Sequence, residues 1–170
     1  MSSNANSGAP GTEAVFHSLL RTWGLLKQVQ EPYFARFGVS GAQWGILRVL
    51  QRTAAEGRKH LSLTEVGERL FIQPPSVTAA VDRLQRQGLV NRTHSKADLR
   101  VRHLSLTTSG RNLVNKVLRG GHAKRIDSFF AALTNVEQDT LLNLMQKLEG
   151  NLRSIATSEH WGGLAEDDQE

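Results

Sequence analysis

The sequence predicts a mainly α-helical domain with one short β-ribbon near its middle. Three observations carry this expectation. Apolar residues recur every three or four positions towards both ends of the chain; capping and proline signals divide the middle into two short helices; and the stretch around residue 100 changes to a period of two. At 170 residues, with 39% hydrophobic residues, the chain has the size and apolar content of one ordinary domain with one core.

The elements follow in order. Residues 1–11 are rich in Ser, Gly and Asn and read as a disordered lead. Val15, Phe16, Leu19, Leu20, Trp23 and Leu26 then keep the rhythm of an amphipathic helix, with Pro32 expected to kink or interrupt it and Gly38 to end it. A second helix follows Ser40 and uses Trp44, Leu47, Val49 and Leu50 until the polar stretch TAAEGRKH. Ser62 and Glu65 have capping-box spacing, and Leu63, Val66 and Leu70 supply one apolar face of a short helix. The turn FIQPP, which contains Gln73, leads into the next helix. Pro74 and Pro75 suit its first turn, where N–H groups lack helical partners, and Gly88 suits its C-cap. Val77, Ala80, Val81 and Leu84 form the buried stripe, leaving an edge of Ser76, Thr78, Ala79, Asp82, Arg83 and Arg86.

LVNRTH, the polar turn SKADLR and VRHLSLT read as a two-stranded ribbon with a charged tip. Helical rhythm returns through Leu113, Val117 and Leu118, and a bend is expected at Gly120 and Gly121 before Ile126, Phe129, Phe130 and Leu133. Thr134 and Glu137 repeat the capping-box spacing ahead of a long last helix carrying Leu141, Leu144, Leu148, Leu152 and Ile155. Residues 159–170 hold five acidic residues and no Lys or Arg, a solvated acidic tail.

Composition narrows the function. The lack of cysteine removes disulfides, thiolate metal sites, thiol redox sensing and cysteine nucleophiles. No stretch is long and apolar enough for a membrane helix, and MSSNANSGAPG lacks the basic and apolar regions of a signal peptide, so a cytoplasmic protein is expected. The six histidines show neither HxxxH nor HExxH spacing, and no phosphate loop or GxSxG occurs. Neither a metal, a cofactor nor an enzymatic activity is therefore expected. The net charge is +5, and the charge is unevenly placed: residues 58–111 hold ten basic and four acidic residues, a net of +6. That distribution suits a polyanion.

Helix, helix, turn, helix and hairpin is the order of a winged helix-turn-helix, whose second short helix enters the DNA major groove. On this reading Ser76, Thr78 and Arg83 face base edges or phosphates, while Lys96, Arg100 and Arg102 at the wing suit a narrow minor groove and its phosphates. Ser62 and Thr64 stand at a helix N-terminus, where they either cap the helix or also touch phosphate. Arg86 and Arg92 read as solvated charges.

The stretches LSLTEVGERLFIQPPSVTAAVDRLQRQGLVNR and KADLRVRHLSLTTSG resemble the MarR family of bacterial transcription regulators, with Asp98, Arg100, Leu106, Thr107 and Gly110 matching its wing pattern. The resemblance covers nearly the whole chain. It implies a mainly α winged helix-turn-helix with a two-stranded β wing (about 40–108) and N- and C-terminal dimerisation helices (about 12–37 and 109–156), all within a single unit, 12–158. It further implies that Arg100 reaches the minor groove, that Asp98 steadies the wing through a basic partner for which Arg83 is a candidate, and that the Ser76 to Arg83 edge reads the major groove. Two positions depart from the pattern: Ala79 stands where a longer, often basic residue is common, and Arg102 where an apolar one is.

The same resemblance implies a homodimer on a nearly palindromic operator, with Phe16, Leu19, Leu20, Trp23, Leu144, Leu148, Leu152 and Ile155 in the interface; packing within one chain is the competing role for these residues. It also implies a repressor relieved by a small aromatic or anionic effector, for which His17, Trp23, Tyr33, Phe37, Trp44 and Arg48 are candidate contacts, although residues of these types on such segments are more often core residues. The alternative is a winged-helix scaffold or a nonspecific nucleic-acid-binding protein without ligand control.

Overall fold

In the computed structural model, residues 11–94 and 102–157 are described. The predicted lead before Gly11, the SKADLR turn and the acidic tail lie outside the described residues. Helix α1 spans Thr12–Ala35, α2 Gly41–Ala55, α3 Leu63–Leu70 and α4 Pro74–Arg86; strands β1, β2 and β3 are Leu61–Ser62, Val90–His94 and Arg102–Leu106. Helix α5 (Thr108–Val117) passes through a π-helical turn (Leu118–His122) into α6 (Ala123–Phe129), and α7 covers Asn135–Thr157. Among the described residues no helix is long and apolar enough to cross a membrane.

The caps form where the side chains predict them. Ser40 closes a capping box with Gln43, Ser62 with Glu65, and Thr134 exchanges hydrogen bonds with Glu137. Pro74 and Pro75 open α4, and Gly88 follows it at φ +68°. There the Leu89 N–H donates to the Leu84 carbonyl and the Gly88 N–H to that of Gln85, a Schellman closure that glycine enters without Cβ strain.

Two details differ from expectation. Helix α1 is not interrupted at Pro32 but continues to Ala35. Proline deletes one helical N–H bond, yet Tyr33 and Phe34 in the same turn are buried and the Tyr33 hydroxyl donates to the Val117 carbonyl at 2.8 Å, which holds that turn in place. The sheet has a third strand: β1 pairs antiparallel with β3, in the order β1-β3-β2, with Leu61 opposite Leu104. Two residues are too few to show a period in sequence. At the glycine pair the chain makes its π turn, with Gly121 at φ +95°, and a Cβ on Gly120 would lie 3.1 Å from the Phe37 ring.

The described residues divide between Gly120 and Gly121 into two units. In the first, Ile46 and Leu47 of α2, Val66 of α3, Val77, Val81 and Leu84 of α4, Val90 and Leu104 of the sheet, and Val114 and Val117 of α5 make one core. In the second, none of the described residues of α6 and α7 is buried, and Val136, Leu142, Leu144, Leu148 and Leu152 are exposed.

Two contacts fasten the ends of the winged region. At its entry, burial works most strongly against ionisation of Glu65, but hydrogen bonds from the Ser62 N–H, Arg58 and the Ser62 hydroxyl together outweigh it and lower the carboxyl from 4.5 to about 2. At its exit, the Thr107 hydroxyl accepts from the Gly110 N–H at 2.9 Å and donates to the Gly88 carbonyl at 2.7 Å, joining the start of α5 to the end of α4. Gly110 permits this approach, since a Cβ there would lie 2.1 Å from the Leu89 carbonyl oxygen.

Thr107→Ala is expected to lower stability by about 1–2 kcal/mol, with Ser restoring most of it, measured by urea unfolding. Glu65→Ala is expected to cost about 1 kcal/mol at neutral pH. Because the folded carboxyl titrates below the unfolded one, its stabilisation is present above about pH 4.5 and disappears as pH falls towards 2, so the two unfolding curves should converge across that window. A difference independent of pH would show that the Glu65 charge has no part in it.

Candidate nucleic-acid interface

Helix α4 is two-sided. Val77, Val81 and Leu84 are buried at 1% exposure or less, whereas Gln73, Ser76, Thr78, Ala79, Arg83 and Arg86 are all exposed. Spacing at 3.6 residues per turn separates these sets, so the polar edge is the necessary outcome of burying the other.

The predicted contacts among the described residues fall into four places. Thr64, Gln73 and Thr78 share one groove between α3 and α4, with a volume of about 350 Å³. Gln73 is the N-cap of α4 and makes no side-chain capping bond, so its amide is not committed to the helix end. Ser62 is half-buried and its hydroxyl accepts from the Glu65 N–H at 3.1 Å, which assigns it a capping role in the free protein. Ser76, Ala79 and Arg83 continue along the exposed edge, and Arg102 is exposed at the start of β3. Lys96, Asp98 and Arg100 lie outside the described residues.

The C-terminal end of α4 is anchored by amides. Gln43, 6% exposed, uses its carbonyl oxygen to accept from the Ser40 N–H and donates from Nε2 to Gln87 Oε1 at 3.1 Å; Gln87 Nε2 in turn donates to the Gly38 carbonyl at 2.9 Å. Nothing in the sequence pattern marks this pair. Arg92 was also missed. It is an ion-pair partner of Asp82, Nη2 to Oδ1 2.9 Å, with a side chain only 12% exposed, rather than a solvated charge. Strand alternation held the signal, because Arg92 shares a face with buried Val90.

The candidate effector contacts separate into two groups. Tyr33 packs edge-on against Phe37 and Phe34, Phe34 stacks on Trp44 at 5.3 Å, and the Arg48 guanidinium lies 5.7 Å from the centre of the Trp44 ring. Tyr33 and Trp44 are core residues. Arg48 also bonds to Gln51; its pKa is lowered by burial and then by Arg52. His17 and Trp23 stand apart from this cluster on the N-terminal half of α1, His17 beside Glu13 at 3.5 Å and Trp23 59% exposed.

The predicted interface residues of α1 are largely open. Phe16, Leu20 and Trp23 are each at least half exposed and Leu19 is half-buried, although the same helical face is buried further along at Tyr33 and Phe34. On α7, Leu144 and Leu152 are more than half exposed, Leu148 is 37% exposed and Ile155 is half-buried.

Comparison with known proteins agrees with this architecture. A family model described as "MarR family" matches residues 37–100. The transcriptional repressor YetL of Bacillus subtilis is 30% identical over 139 residues, covering 81% of this chain and 80% of YetL. Two solved structures share the fold. A mutant of MarR from E. coli complexed with operator DNA has a TM-score of 0.72 at 20% identity, covering 84% of this chain and 99% of that one. Bordetella bronchiseptica BpsR, whose DNA binding is regulated by 6-hydroxynicotinic acid, has a TM-score of 0.72 at 23% identity, covering 84% of this chain and 98% of that one. With a one-sided α4, a wing built on β2 and β3, and this similarity along most of its length, the chain belongs to the MarR family of winged helix-turn-helix, DNA-binding transcription regulators.

Proposed function

We propose that this regulator is a dimeric repressor that binds a nearly palindromic operator and is released by a small aromatic or anionic effector. The observation that carries DNA reading is the exposed edge of α4, polar and basic while its other face is sealed in the core. Ser76, Thr78 and Arg83 reach base edges in the major groove, with Ala79 allowing close approach without hydrogen-bond readout. Ser62, Thr64 and Gln73 lie along the phosphates near the starts of α3 and α4, where helix N-termini favour anions. Lys96, Arg100 and Arg102 of the wing hold phosphate and the minor groove, and Asp98 steadies the wing.

Dimerisation is supported by apolar surface that the single chain leaves in water on α1 and α7. A patch of this kind marks an interaction site. Covering Phe16, Leu19, Leu20 and Trp23 together with Leu144, Leu148, Leu152 and Ile155 by a second copy would set two α4 helices roughly 34–36 Å apart, one turn of DNA. Repression follows the similarity to YetL. For the effector, support comes from Arg48: a half-buried guanidinium on an indole face, beside Arg52 and without a carboxylate partner among the described residues, is suited to an anion with an aromatic body. Trp44 borders it, Tyr33 and Phe37 join Trp44 through Phe34, and His17 and Trp23 complete the proposed set. An effector acts by favouring a dimer geometry with the wrong α4 spacing.

The test is binding to the promoter of the protein's own gene against a scrambled duplex across a salt series. Preference for the promoter supports operator recognition, and equal affinity at every salt concentration contradicts it. Arg100→Ala is expected to weaken promoter binding by about 1–3 kcal/mol without altering oligomeric state; unchanged affinity would remove the wing contact. Leu148→Asp places a charge in the proposed interface and is expected to yield monomer in sedimentation. A stable dimer with an unaltered melting profile would place the interface elsewhere.

A further inference from the structure

We propose that Asp82 and Arg92 form a positioning pair that sets the angle between the recognition helix α4 and the wing, and so determines discrimination between operator and other DNA. This inference rests on the DNA-reading role of α4 and the wing proposed above.

Strand geometry aims Arg92 inward. It shares a face of β2 with Val90, 2% exposed, and lies opposite Leu104, 0% exposed, in the β2–β3 ladder. A guanidinium therefore occupies a place where the pattern calls for an apolar side chain. Its partner, Asp82, lies on α4 between the buried Val81 and the exposed Arg83, with its side chain 48% exposed. The contact, Nη2 to Oδ1 at 2.9 Å, is poorly directed for a hydrogen bond, and Nε is buried without a hydrogen-bond partner among the described residues. An ion pair with such geometry gains little stability over an apolar side chain, since desolvating the guanidinium offsets most of the attraction. Geometry, rather than stability, is what this pair supplies.

The reason lies in where the ribbon is attached. Its base is held to the end of α4 by the Thr107 hydroxyl on the Gly88 carbonyl. Burial of Val90 and Leu104 and the pairing of β3 with β1 hold it as well, but apolar burial has no preferred direction and fixes the position of the ribbon more than its tilt. Arg92 stands two residues further along β2 than Val90, about 6–7 Å up the strand, and supplies a second polar attachment to α4, directional where the apolar packing is not. Two points on one helix define an angle. The wing and the α4 edge then present their groups to two grooves in one fixed relation, which matching DNA satisfies and other DNA does not.

The pair also makes an unusual prediction for stability and charge. Arg92→Leu replaces the guanidinium with the side-chain type of its ladder partner and should leave the melting temperature unchanged or raised, while discrimination falls roughly tenfold. Asp82→Asn removes a negative charge near the proposed DNA edge, so affinity for scrambled DNA should rise a few-fold while discrimination falls by a similar roughly tenfold factor.

The probe is a duplex that the wild-type full-length protein selects from a randomised pool, compared with a scrambled duplex of equal length across a salt series. The expected result for Arg92→Leu is a lower ratio of specific to nonspecific affinity with an unchanged salt slope. The double variant should lose no more than either single one, because the two residues act through one contact. Wild-type discrimination in both single variants would overturn the pairing role, as would additive losses in the double variant. A salt slope reduced by about one in Arg92→Leu would overturn it in favour of a direct phosphate contact. A large drop in melting temperature in Arg92→Leu would overturn the claim that the pair orients rather than stabilises. If the wild-type protein selects no duplex, the DNA-reading role itself falls, and this inference with it.

Discussion

The burial of Val77, Val81 and Leu84 is the contact on which the winged region depends. These three residues, with Ala80 packed beside them, are the apolar grip of a helix as short as α4, and they join it to α2, α3 and the sheet through Ile46, Leu47, Val66, Val90 and Leu104. A 13-residue helix is marginal by itself in water, so α4 exists because this face is sealed. Sealing it also orients the opposite edge. The exposed Ser76, Thr78 and Arg83 have their positions decided by residues that never reach solvent.

Polar contacts then refine what apolar burial only places. Gln87 ties the end of α4 to the turn after α1 through Gln43 and Gly38, and Thr107 ties the start of α5 to Gly88. Each is a bond between elements distant in sequence, made where a backbone carbonyl at a helix end or turn would otherwise lack a donor. Such bonds are directional, so they constrain geometry more strongly than their small net stability suggests. The ion pair between Asp82 and Arg92 belongs to the same set of constraints.

The two ends of the chain are governed by the opposite condition. Helix α1 buries its apolar face only in its last turns, at Tyr33 and Phe34, and leaves Phe16, Leu20 and Trp23 in water. Helix α7 has no buried residue among those described. A long amphipathic helix without a covered face gains little from folding alone, since most helical stability comes from packing rather than propensity. These surfaces are the physical motive for a second copy in the proposed function.

The sequence by itself determined whatever depends on neighbours within about four residues. Ser62 with Glu65, Thr134 with Glu137, the prolines that open α4, Gly88 after it and the 3.6-residue stripe through Val77, Val81 and Leu84 were all legible, because caps and helical faces are local geometry. The uninterrupted passage of α1 through Pro32, the two-residue β1, the amide link from Gln43 to Gln87 and the inward turn of Arg92 to Asp82 were decided only by tertiary structure. Each joins residues far apart in the chain or depends on burial elsewhere, and no local spacing encodes which distant group will arrive. The candidate site divides in the same way: the composition of the α4 edge is written in its period, whereas the angle at which that edge meets the wing is set by contacts between elements.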